Sequence, residues 1–204
     1  AGSPGTNNDG SNANSGGGDG RPNMADIAGP VTGPPDMSHY GDPDPEVDVP
    51  FRDQVYMQKA PFTEAPKKLV KTINRFRGIS WGDDKTAIAY DYWWNTRNTK
   101  TYVFDPSGKS NEGQVLTDRN YQDTYSDPGN FVTEDNVYGK PVLTLVDGNA
   151  FLIGDGFSEK GQFPFIDKLN LKTKKSERIY ESEYTDKLEN LQDVLDIKEG
   201  KVLV

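Results

Sequence analysis

Short apolar runs separated by turn residues fill the chain from residue 49 onward, whereas residues 1–35 hold almost no apolar side chain beyond Met24, Ile27 and Val31. The densest patterning lies at 76–106. Runs at 79–81, 86–94 and 99–104 are rich in β-branched and aromatic residues with partial period-two alternation, which predicts strands. Gly82-Asp83-Asp84 and Asn95-Thr96-Arg97-Asn98 separate them with residues that favour turns. A meander of three antiparallel strands follows, and 114–117 predicts a fourth. Two shorter strands are predicted upstream, at 55–57 and 69–72, on either side of a proline-containing loop at 60–66. Such a meander cannot bury its faces alone, so it requires packed neighbours.

The pattern then restarts. Runs at 130–134, 141–146, 150–154, 165–171 and 177–180 predict a second set of strands, with Asp147-Gly148-Asn149 as a hairpin turn. A third set begins at 191–197, and Glu199-Gly200 turns into 201–204. The starts near 78, 131 and 191 lie roughly 50 to 60 residues apart, a spacing that four-stranded propeller blades produce. On spacing alone a β-sandwich stays open. The predicted fold is all-β: a partial β-propeller over residues 41–204, with about two four-stranded antiparallel blades plus part of a third. Only 182–194 resembles an amphipathic helix, of a turn or two.

Composition adds a tail. Residues 1–50 contain eighteen Gly and Pro, eight acidic groups and one basic group, so they carry −7 of the net charge of −9. Residues 1–40 are expected to be a disordered, Gly/Pro/Asn/Asp-rich tail. The rest of the chain has an ordinary mixed surface. No basic stripe exists to meet phosphates, which argues against nucleic acid. No apolar run is long enough to span a membrane as a helix. The absence of cysteine removes disulfides, zinc thiolate sites and cysteine nucleophiles. It does not fix a compartment; a bacterial periplasmic or secreted location is the working expectation. Because 201–204 reads as a strand in which the sequence stops, the chain is expected to be a piece of something longer.

Little chemistry is legible. His39 is the sole histidine and lies in the proline-rich lead-in, and no Gly-x-Ser-x-Gly elbow exists to partner it. No catalytic residue, metal ligand or cofactor is therefore assigned. The alternating carboxylates of Asp42-Pro-Asp-Pro-Glu-Val-Asp48 lack the glycine of a calcium loop and read as an acidic extended segment. Asp83-Asp84 reads as a solvated turn. Trp81, Tyr92, Trp93 and Trp94 invite comparison with a stacking platform, but strand aromatics are mainly core, and one of Trp93 and Trp94 is expected to be buried. Arg97, in the turn that follows, is the one substrate-contact candidate, since a guanidinium binds carboxylates bidentately. Tyr125-Ser-Asp-Pro-Gly129 reads as a link between blades with no base beside its serine.

Several segments carry a resemblance. Arg52-Asp-Gln-Val-Tyr-Met57, Gly78-Ile-Ser-Trp-Gly-Asp-Asp84, Trp93-Trp94-Asn-Thr-Arg97, Asp118-Arg119, Tyr125-Ser-Asp-Pro-Gly129, Gly161-Gln-Phe-Pro-Phe165 with Asp167, and Arg178-Ile-Tyr-Glu-Ser182 occur in consistent order. Together they resemble the β-propeller of glutamyl-endopeptidase-like serine peptidases of the prolyl oligopeptidase family. The resemblance covers about 41–204. It implies a parent with an N-terminal propeller and a C-terminal α/β-hydrolase domain, its partner, that bears the Ser-Asp-His triad. In such a parent the propeller restricts access of peptide substrates. This chain then contains none of the catalytic residues, and whether it acts as an enzyme is a question about the parent. The alternative is a stand-alone binding module for glycan or protein that uses exposed aromatics.

Overall fold

The computed structural model describes residues 47–108, 110, 112–183, 189–197 and 199–203. The tail expected at 1–40, His39 and most of the Asp42–Asp48 run lie outside the described residues. No helix occurs among the described residues. The helix expectation at 182–194 is corrected at its C-terminal end, where Asp193 and Val194 are in a strand; residues 184–188 lie outside the described set.

A hairpin comes first, β1 (Asp53–Met57) against β2 (Lys67–Thr72). The meander follows as a four-stranded antiparallel sheet in sequential order: β3 (Arg75–Trp81), β4 (Ala87–Trp93), β5 (Asn98–Phe104) and β6 (Gln114–Asn120). Each of these strands matches a predicted run: β4 falls one residue short of its run at each end, and the others extend theirs by a few residues at one end.

The second sheet departs from the expectation of five successive strands. Its first strand is divided. β7 (Asn130–Phe131) leads into β8 (Thr133–Asp135) and β9 (Pro141–Leu143), which pair with each other, and then into β10 (Leu145–Val146). Both β7 and β10 pair with β11 (Asn149–Gly154), β10 beside Asn149 and Ala150 and β7 beside Leu152 and Ile153. The Val132 N–H donates to the Phe151 carbonyl at 2.9 Å, and the Thr144 N–H donates to the Val132 carbonyl at 3.0 Å. One inner strand is therefore interrupted by an inserted hairpin, with Val137 and Tyr138 exposed at its tip. Expecting 130–134 and 141–146 as separate members of the sheet was wrong for this reason.

Asp147 and Gly148 join β10 to β11 with φ of 51° and 74°. Two positive φ values match the right-handed strand twist, so the expected two-residue hairpin is present. A small hairpin of β12 (Phe157–Ser158) and β13 (Gly161–Gln162) lies between β11 and β14 (Phe165–Asn170), and β15 (Ser176–Glu181) closes the sheet. A last hairpin pairs β16 (Asp193–Asp196) with β17 (Lys201–Leu203).

Packing decides between sandwich and propeller. In β4, Ala87, Ile88 and Ala89 are all fully buried, although neighbours on a strand face opposite ways. Ala87 and Ala89 join Leu69 and Val70 of β2 and Tyr102 and Phe104 of β5 in one cluster. Ile88 joins Leu143, Ala150, Leu152, Leu169 and Leu171 in a second. Across β11, Phe151 forms a third with Val132, Ile166, Leu191 and Val194. Each large sheet is thus covered on both faces, giving four stacked layers: hairpin, sheet, sheet, hairpin. A two-sheet sandwich leaves one face of each sheet to solvent. The fold is a partial β-propeller with two complete four-stranded blades, flanked by parts of two more. The outer strand β15 is mostly exposed, as befits a blade rim.

The first blade also holds a polar core. Asp91 is fully buried, and its carboxylate accepts from the Asn74 N–H (2.9 Å), the Asn74 side-chain amide (3.1 Å), the Lys100 N–H (2.8 Å) and the Tyr102 hydroxyl (2.5 Å). Asn74 also donates to Asn98 at 2.8 Å, and Asn98 to Asp118 at 2.7 Å. Asp118 pairs with Lys100 at 2.6 Å. The Lys100 ammonium, then the Asn98 amide, hold the Asp118 carboxyl below its usual range. The chain thus ties β3's approach, β4, β5 and β6 together across one end of the sheet.

Candidate functional site

Antiparallel alternation sorts the connections between the two ends of the blades. The turn after β4 and the connection after β6 share one end; the Tyr121 N–H donates to the Arg97 carbonyl at 2.8 Å. In the second blade the β12–β13 hairpin and the connection after β15 lie at that same end, because residues 124–129, 153–157 and 191–192 line one cleft. The opposite end holds the tight Asp147–Gly148 turn. Longer connections on a rigid sheet scaffold are where binding groups concentrate.

Arg97 lies at this long-loop end. It has a positive φ of 58°, its guanidinium rests 4.3 Å from the centre of the Trp94 ring, and it donates to the Trp94 carbonyl. The side chain is fixed by local contacts, with one stacked face and no carboxylate partner among the described residues. Trp94 is 64% exposed. Trp93 is half-buried beneath the guanidinium of Arg52, 4.0 Å from its ring centre, and Trp81 is exposed at its strand end. The expectation that one of Trp93 and Trp94 is buried is therefore corrected. Both sit where β4 leaves the sheet, beyond the layer that covers its centre.

The cleft consists of two adjoining chambers of about 230 and 530 Å³, with Thr124, Asp127, Gly156 and Phe157 common to both. Its walls are the Tyr125–Gly129 link and the β12–β13 hairpin. Arg119 anchors the link, pairing with Asp127 at 2.7 Å and donating to the Asp123 carbonyl at 2.8 Å. Opposite, Arg178 lies 3.9 Å from the Phe165 ring centre and pairs with Asp167 and Glu181. Burial works against the Arg178 charge, but the two carboxylates outweigh it and raise its pKa above the ordinary value.

Two glycines shape the cleft. At Gly156, φ is +65° and a Cβ would fall 1.8 Å from the Phe163 carbonyl oxygen; at Gly129, φ is +83° and a Cβ would fall 2.3 Å from that of Ile153. Only glycine fits such approaches. Gly156→Ala is expected to cost about 1–3 kcal/mol and to disorder the cleft. Chemical denaturation checks the first effect, and chemical-shift changes confined to 124–129 and 155–165 check the second.

Among the described residues the cleft's one serine at the link, Ser126, has only local partners. Ser126 donates to the Asp123 carbonyl at 3.3 Å, and its hydroxyl, with the Tyr125 N–H, lowers the pKa of the Asp123 carboxyl. The only histidine of the sequence, His39, lies outside the described residues. Among the described residues no group of three or more acidic or imidazole side chains is placed to hold a metal ion. Asp83 accepts from the Lys85 N–H at 3.0 Å, as a solvated turn does. The cleft was missed in the sequence because it joins segments about thirty residues apart; the glycines at 129 and 156 were its only local trace.

The fold thus places the chain among β-propeller proteins. No family model matches it. It is 36% identical over 166 residues to a probable chloroplastic glutamyl endopeptidase of Arabidopsis thaliana, covering 77% of this chain and 17% of the relative. It is 37% identical over 147 residues to the protein of the same name in Oryza sativa subsp. japonica, covering 69% of this chain and 16% of the relative. Over most of its length, then, the chain is related to the glutamyl-endopeptidase-like proteins that its motifs resemble. It spans about one sixth of the length of these relatives. TolB from Acinetobacter baumannii aligns with 65% of this chain and 28% of its own at 18% identity, with a TM-score of 0.34, a likeness too weak to bear on the fold.

Proposed function

We propose that this chain is the non-catalytic β-propeller segment of a serine endopeptidase of the prolyl oligopeptidase family, which controls access of peptides to a C-terminal α/β-hydrolase domain outside this chain. The observation that carries the reading is the 36–37% identity to two probable glutamyl endopeptidases across most of the chain. The blade architecture agrees with it. The reading divides the chain into a tail at 1–40 and the propeller segment at 41–204.

The direct assay incubates the chain with glutamate-containing fluorogenic peptides. No turnover above buffer is expected; turnover blocked by a serine-directed phosphonate contradicts the non-catalytic role. Arg97 is assigned to acidic-substrate contact, because its guanidinium is held at the long-loop end by Trp94 without a carboxylate partner among the described residues. In the full-length parent, Arg97→Ala is expected to lower kcat/KM for glutamate substrates about tenfold, or roughly 1.4 kcal/mol. An unchanged kcat/KM removes Arg97 from the role. The exposed Trp94 favours a second reading, a stand-alone module for glycan or protein. That reading requires ligand-dependent quenching of tryptophan fluorescence in this chain alone.

A further inference from the structure

We propose that a slot between the two complete blades is a binding site for the phenol side chain of a tyrosine in a bound peptide. Antiparallel register builds one wall of it. Tyr90 of β4 stands opposite Thr101 of β5, and Thr101 stands opposite Thr117 of β6. Ser80 of β3 is opposite Ile88, two residues from Tyr90, so it shares their face. A row of hydroxyls thus crosses all four strands of the first blade on the side that meets the second. The facing wall is apolar, made by Phe131 of β7, Leu152 of β11 and Leu169 of β14. The slot encloses about 250 Å³, and no charged side chain lines it. A cavity of about 150 Å³ already holds a benzene ring, so a phenol fits.

Hydrogen bonding within the row decides what the slot accepts. The Tyr90 hydroxyl donates to the Ser80 Oγ at 3.0 Å, and the Thr101 and Thr117 hydroxyls share one hydrogen bond of 2.7 Å. Each pair uses one of its two protons, and none of the four hydroxyls has a further protein partner among the described residues. The row therefore offers two hydroxyl protons, with lone pairs beside them, to a group that both accepts and donates. Burial raises the Tyr90 phenol above its ordinary range, so the wall stays neutral. A carboxylate or an ammonium loses its hydration there without meeting a counter-charge. A purely apolar ring leaves the spare protons unmet. A phenol suits both walls. Gly129 and Asn130 line the slot and also the smaller chamber of the cleft, so a peptide lying in the cleft can lower one side chain into the slot. That the phenol arrives on a peptide rests on the proposed function; the chemistry of the slot does not.

The test titrates the isotope-labelled chain at pH 7 and reads methyl shifts of Thr101, Thr117, Leu152 and Leu169 by NMR. The probes are p-cresol, toluene and p-toluate, followed by N-acetylated, C-amidated Ala-Tyr-Ala and Ala-Phe-Ala. p-Cresol is expected to bind about fivefold tighter than toluene, the scale of one net hydrogen bond, and p-toluate more weakly than either. The tyrosine peptide is expected to bind tighter than the phenylalanine peptide by a similar factor. The double variant Thr101→Val, Thr117→Val keeps side-chain shape and strand propensity; it is expected to reduce the p-cresol preference and leave toluene binding in place. Equal binding of p-cresol and toluene to the unaltered chain overturns the proposal, with no variant needed. So does the absence of shifts at the four residues up to the solubility of the probes, which makes the slot a site for water only. Binding of p-cresol with no preference between the two peptides overturns the tyrosine assignment. Turnover in the peptidase assay contradicts the non-catalytic reading and leaves each of these outcomes as it stands.

Discussion

Asp91→Ala is expected to lower the unfolding free energy by about 3–5 kcal/mol. The carboxylate has no solvent exposure and accepts four hydrogen bonds, from Asn74 twice, Lys100 and Tyr102. Removing it leaves those donors facing a void that the flanking strands cannot close. For a chain of this size the loss corresponds to a fall in Tm of about 10 °C. Asp91→Asn keeps the volume but turns a donor toward donors, so it is not expected to restore stability. Urea denaturation gives the answer: the midpoint falls while the slope is unchanged, since the same surface is exposed on unfolding. Wild-type stability in both variants would show that the polar network contributes nothing.

Tyr102 gives the same network a pH signature. Burial first, then its hydrogen bond to Asp91, pushes its phenol above the ordinary tyrosine range. The folded pKa is raised above the unfolded one, so the associated stability is complete below the unfolded value near 10 and declines as pH rises through it. Denaturant midpoints measured between pH 8 and 11 are expected to fall at the alkaline end, and to fall less in Tyr102→Phe.

Ile88→Ala is expected to cost about 3–4 kcal/mol. Ile88 is fully buried in the cluster where the first blade meets the second, among Leu143, Ala150, Leu152 and Leu169. Both walls are strands fixed by their own sheets, so the cavity cannot collapse. Trp94→Ala, in the same segment, is expected to change stability by no more than about 0.5 kcal/mol, because the ring is 64% exposed. The pair of variants tests the layering directly. A sandwich with a solvated face on the Ile88 side predicts a small effect for Ile88, and a buried tryptophan predicts a large one for Trp94.

The sequence by itself determined the strands of the first blade, the turn at Asp147–Gly148, the link at Tyr125–Gly129 and the kinship with glutamyl-endopeptidase-like proteins. These features are local. Period-two patterning and turn chemistry act over a few residues, and motif order survives without coordinates. Only the tertiary structure decided the rest. Residues 130–146 carry strand-forming side chains throughout, so an inner strand interrupted by a hairpin reads the same as two strands in succession. Alternation told which face Trp93 and Trp94 occupy, but their burial depended on how far the neighbouring layer extends, and it stops short of them. Asp91 looked like one polar residue in a strand; its role came from Asn74, Lys100 and Tyr102 meeting it across three strands. The cleft between the link and the β12–β13 hairpin required β7 to pair with β11, Asn130 beside Ile153, which brings the two segments together, and beyond the glycines at 129 and 156 no local pattern encodes that contact.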